Sequence, residues 1–259
     1  MNSEMSYGAK PASAEVAPRN FFSRLIGVYF SPGETFAEMA QAPRALVPII
    51  ALALLFSISG AFVTSRMPMD RINEDRLQQQ IASGRINEAQ AEQQREGMRK
   101  IAPFMKFIIP ISSAIWAVVI AFAFAGLAKL VCLVMGIDNK YMPLVSVMSY
   151  AMLAVYIVST VILVILTFIK PIDEFDWTNP IGSNLAALLT ALGVEKLPSF
   201  LKGLLSYVDL FYIWKVVLIA IGCAAVSQKL KTSSAMVHAV IIACVIALIG
   251  GAFAALGGA

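Results

Sequence analysis

The ionisable side chains that could do chemistry are few, and two of them sit in apolar company. Asp209 and Lys215 belong to the stretch DLFYIWKVVLIAIGCAAV, residues 209–226. Ionisable groups inside such a run are costly, so they mark either an anchor at the membrane interface or a functional site. At i,i+6 they fall on different faces of a helix and cannot pair simply along one surface. Asp209 stands at the start, where the helix dipole favours an acid. Lys215 lies about 9 Å further in, at 1.5 Å of rise per residue. It either snorkels back to the headgroups or faces the interior, to meet Asp209 of another subunit or a lipid headgroup. Both are candidate functional intramembrane charges.

The remaining reactive groups form no constellation. The chain carries no Walker A loop, GxSxG elbow, HExxH helix or GxGxxG turn. The single histidine, His238, falls in the first turn of an apolar run, a poor place for a Ser/His hydrolase. Cys132, Cys223 and Cys244 each lie inside apolar runs and no two are at CxxC spacing, so they read as small buried residues. No catalytic residue, metal site or cofactor is expected, and the chain does not read as an enzyme.

Composition supplies the setting. Of 259 residues, 59% are hydrophobic and 14% charged, against about 25% charged in a soluble domain. The net charge of +4 is spread beside apolar segments. That suits anionic lipid headgroups and gives no basic run for nucleic acid.

The fold class expected is all-α: a polytopic membrane helix bundle with five transmembrane helices. Residues 1–19 read as a disordered tail, 20–44 as amphipathic helices, and 45–256 as the membrane domain. The spans fall at about 46–65, 107–135, 143–169, 207–226 and 234–254, each with the roughly 20 apolar residues that cross about 30 Å of hydrocarbon. In 20–44, Asn20 is placed to cap one short helix, and Ser31-Pro32-Gly33-Glu34 has the pattern of a capping box for a second. These two helices either lie in the membrane interface or pack on the bundle. Residues 66–106 read as a polar helical hairpin between spans one and two, solvated or offered to a partner. Residues 170–206 read as interfacial, with an acidic, aromatic patch of Asp173, Glu174, Asp176 and Trp177.

Small residues mark where helices approach closely. Ala53, Ser57 and Ala61 recur every fourth residue in the first span, and Ala239, Ala243, Ala247 and Gly251 do so in the fifth. The third span, bulky with Val, Ile and Leu, is expected to face lipid over much of its surface. Lys129 is expected to snorkel.

The lead segment FFSRLIGVYFSPGETFAEM, the five apolar spans, and DLFYIWKVVLIAIG with its Phe211 and Trp214 resemble the Yip domain family, and more narrowly its bacterial branch. The resemblance covers about 21–254. In eukaryotes that family consists of five-span Golgi and endoplasmic-reticulum proteins that bind Rab-type GTPases. It implies a cytoplasmic N-terminus, here in a bacterial inner membrane. A bacterial cell lacks the Rab machinery and the N-terminal region here is short, so a Rab-type GTPase is not an expected partner. The expected partners are the lipid bilayer and a second copy or another membrane protein. Two functions stay open: a non-enzymatic protein that organises membrane or recruits partners, and a transporter or channel for a small solute or lipid.

Overall fold

A computed structural model describes residues 19–171, 175–177, 179–194, 197–227 and 230–258. The tail 1–19 thus lies outside the described residues except for Arg19, as do Asp173 and Glu174 of the acidic patch. The described residues hold ten α-helices. Five of them are long and apolar enough to cross a membrane: α3 (Leu46–Arg66), α5 (Glu88–Val134), α6 (Tyr141–Ile169), α9 (Leu210–Ser227) and α10 (Thr232–Gly258). The shorter ones are α1 (Phe21–Phe30), α2 (Pro32–Gln41), α4 (Met69–Ala82), α7 (Leu185–Ala191) and α8 (Ser199–Ser206).

The hub of the bundle is α6. Every residue of 143–155 is buried, against α1, α2, α3, α5 and α9. The expectation that the third span faces lipid over much of its surface fails for this first half. Its Val, Leu and Met side chains fill the space between five neighbours, and only the second half, with Val161, Ile165 and Phe168, turns outward. In a bilayer a lipid-facing side chain and a core side chain are equally apolar, so bulk alone does not tell them apart.

Around the hub, small residues set the spacing. Ala117, Ala121 and Ala125 of α5 are fully buried, one turn apart. At Gly222 on α9 an added Cβ would run into Val147 Cγ1 and lie 3.4 Å from Phe36. The α3–α5 approach passes through Gly60, where a Cβ would stand 3.0 Å from Ser113 Oγ.

Helices α1 and α2 form a hairpin laid against α6 and α9. Asn20 Oδ1 accepts from Ser23 N–H at 2.9 Å and caps α1. The expected capping box at Ser31 does not form: the Ser31 side chain makes no cap bond, and Thr35 Oγ1 donates to the Ser31 carbonyl instead. Tyr29, near the tip, donates to the Ala154 carbonyl at 2.7 Å, level with the middle of α6. Phe36, Met39 and Val28 are buried in the bundle, while Phe22, Ile26 and Phe30 point away from it. One side of the hairpin meets protein and the other is left apolar for lipid.

The polar hairpin between the first two crossings is α4 and the first part of α5. A true capping box opens α5: Asn87 Oδ1 accepts from Gln90 N–H and Gln90 Oε1 from Asn87 N–H, each at 2.9 Å. From there α5 runs unbroken for 47 residues, through Pro103 and Pro110. That is about 70 Å, more than twice the thickness of the hydrocarbon. Half of this helix therefore stands outside the membrane and carries the hairpin with it.

Candidate functional site

Helix α9 is entered through a short backbone crossover. Leu185 N–H donates to the Val208 carbonyl at 2.9 Å and Leu210 N–H to the Ser183 carbonyl at 3.2 Å. This holds Asp209 at the helix start, where one carboxylate oxygen accepts from Tyr212 N–H at 2.8 Å and the other from Ser183 Oγ. Asp209 is an N-cap whose oxygens are both occupied.

Lys215 is one and a half turns further on, half-buried. Its ammonium stands 4.8 Å from the centre of the Tyr212 ring and 5.7 Å from that of Phe124 on α5. No carboxylate lies within ion-pair distance of it among the described residues. The charge is held by ring faces, an attraction of about 0.5–2 kcal/mol that does not replace a counter-ion. Asp209 and Lys215 share a helix but not a salt bridge.

The same two rings line a crevice between α5, α9 and α10, with Cys132, Cys223, Ala239 and Ala243 along it. It is narrow: the space in it open to a water-sized sphere is about 50 Å³. His238 is on this wall too, its Nδ1 2.7 Å from the Ser234 carbonyl. Among the described residues no three His, Cys, Asp or Glu side chains gather to hold a metal ion.

A second recess lies outside the membrane. Helices α4 and α5 splay apart and enclose a groove of about 1180 Å³. Leu77, Met67, Met98 and Met105 line it, and Arg76, Arg99 and Lys106 stand along it. One end is pinned by Arg95, whose guanidinium donates to Glu74 at 2.8 and 2.9 Å, to Glu88 at 3.0 Å and to Glu92 at 3.1 Å. Those bonds hold the Glu74 carboxyl down at about 2, the Arg95 hydrogen bond first and Gln78 second. At the opposite end of the bundle, Lys129 donates to Asp138 at 2.7 Å and to the Asn139 carbonyl, closing the turn between α5 and α6. That bond lowers the Asp138 pKa.

The family model described as the Yip1 domain matches residues 26–256. The chain belongs to the Yip1 domain family. No curated protein and no solved structure matches it. In this Yip1 domain protein the two residues of the family-like pattern in α9, Phe211 and Trp214, face the α1–α2 hairpin. Trp214 stacks at 5.9 Å from Tyr29, and Phe211 packs on the same cluster. Neither meets Lys215 on the crevice side.

The small-residue stripes of the Yip1 domain divide between several neighbours. Ala247 and Gly251 are buried, and a Cβ added at Gly251 would stand 3.0 Å from the Phe200 carbonyl oxygen of α8. Ala239 and Ala243 border the crevice. On α3, Ala53 and Ser57 are half-buried and Ala61 is exposed. Sequence reasoning missed the alanine stripe of α5, although its four-residue repeat was there to read. It also missed the pairing of Arg24 with Glu38, which no local pattern announces.

Proposed function

We propose that this Yip1 domain protein is a non-enzymatic membrane organiser that recruits a partner through the α4–α5 groove. The observation that carries this reading is the groove itself. It is large, lined by methionines that adapt to varied surfaces, and rimmed by Arg76, Arg99 and Lys106, which make no ion pair among the described residues. A rim of that charge favours an acidic segment of another membrane protein or of a second copy. The filled centre of the bundle at 143–155 also supports an organising role over a conducting one.

The transporter or channel reading has Lys215 in its favour, a charge without a carboxylate inside a crossing helix. Its route would have to avoid the α6 core. We also infer a bacterial inner-membrane location with the N-terminus in the cytoplasm, supported by the exposed Lys140 and Lys231 at the short turns on the N-terminal side.

The test is photo-crosslinking in native membranes from Met98 and from Met105. A reproducible adduct, with a second copy or another protein, is expected at both sites and is lost when Arg76 and Arg99 are both changed to Glu. No adduct at either site overturns the recruitment reading. A flux in reconstituted vesicles that Lys215→Leu abolishes would put transport in its place.

A further inference from the structure

Helix α10 packs on α9 and α8 but makes little contact with α5. The space left between α5, α9 and α10, all three of them crossing helices, is the crevice described above. It extends from Tyr212 and Ile246 at one end to Leu230 and Ala235 at the other. Its walls are apolar over nearly their whole length.

The crevice is narrow and apolar, and charge selects what enters it. The Lys215 ammonium stands at the Tyr212 end, over two rings that line the crevice, with no carboxylate beside it among the described residues. One cation without a carboxylate beside it, above an apolar slot, complements a phosphate on a fatty-acyl chain.

We propose that the crevice is a resident site for an anionic phospholipid from the surrounding bilayer, one acyl chain between α5 and α10 and the phosphate on Lys215. The inference does not rest on partner recruitment through the α4–α5 groove, and either can fail alone. Bound lipid replaces the missing α5–α10 contact, so it acts as part of the bundle.

The experiment is native mass spectrometry of the full chain released from nanodiscs of equal phosphatidylglycerol and phosphatidylcholine. The expected result is one retained lipid, with a several-fold excess of phosphatidylglycerol. Lys215→Met brings that excess to unity, and Ala243→Phe, which fills the slot, removes retention of both lipids. Lys100→Met, an exposed base on the first part of α5 away from the crevice, changes nothing. Thermal unfolding checks that each variant is folded. A measurement on the unaltered chain accompanies them: a phospholipid with a photoreactive acyl chain is expected to label α10 between 235 and 246. Absence of that label, no preference for phosphatidylglycerol, or an excess that survives Lys215→Met overturns the proposal. So does a dimer whose partner copy crosslinks along Ala239 and Ala243.

Discussion

Arg24 on α1 is wholly buried, and its Nε and Nη2 donate to a single oxygen of Glu38 on α2, at 3.2 and 3.0 Å. Nη2 also donates to the Ala42 carbonyl at 2.9 Å. The Arg19 backbone N–H reaches the same Glu38 oxygen at 2.9 Å. The α1–α2 hairpin is thus closed by one carboxylate that serves two arginines. Removing one partner of a buried pair leaves the other charge uncompensated, at a cost of about 3–5 kcal/mol. Glu38→Ala is therefore expected to lower the thermal unfolding temperature in detergent markedly. Arg24→Met combined with Glu38→Leu should recover much of the loss, because it removes both charges. Equal damage from the single and double variants would show that the ion pair is not what holds the hairpin.

Gly222 brings α9, α6 and α2 together. Its missing Cβ is the space filled by Val147, with Phe36 beside it. Gly222→Ala overpacks this point and should destabilise by about 1–3 kcal/mol. Val147→Ala in the same chain makes room and should restore part of the loss, a coupling that a double-mutant cycle reads directly. Additive losses would place the strain elsewhere.

The Glu74–Arg95 contact makes the hairpin acid-sensitive. Glu74 has a folded pKa of about 2 against an ordinary 4.5. A depressed carboxylate stabilises the folded form above its unfolded pKa, and the contribution is lost as pH falls through the folded one. The protection of α4 amides against exchange, relative to the intrinsic rate at each pH, should hence hold down to about pH 4.5 and fall between there and about pH 2. Glu74→Gln should flatten the Glu74 share of that profile. An unchanged acid response in Glu74→Gln would assign the transition to other carboxylates.

Five crossings put the two ends of the bundle on opposite sides. The α1–α2 hairpin and the turn at Asp138 share one side; the α4–α5 hairpin and α8 share the other. With Cys132, Cys223 and Cys244 replaced by Ser or Ala, single cysteines at Asp138 and at Ser83 should react with an impermeant maleimide from opposite faces of sealed vesicles. Labelling of both from one face would require a different number of crossings.

Sequence by itself determined the class of this protein, because the signals are local. A run of about 20 apolar residues must cross a bilayer whatever surrounds it. Asn20 caps its own helix because its side chain needs only the N–H of Ser23, three residues away. The lead segment and the α9 pattern likewise pointed to the Yip family from residue order alone. Depth, neighbours and vacancies in the packing were decided by tertiary structure. Within lipid, Val147 in the core and Val161 on the surface are written with the same letter, so the central place of α6 was invisible. Proline ordinarily breaks a helix interior, yet α5 passes through Pro103 and Pro110. Small-residue stripes announce close approach without naming the partner: on α3 the contact fell on Gly60 while Ala61 stayed exposed. Arg24 and Glu38 are 14 residues apart across a turn, and only the angle between α1 and α2 brings them together. For Lys215 the sequence gives a charge in an apolar helix; the fold alone sets it over Tyr212 and Phe124, at the head of an apolar crevice.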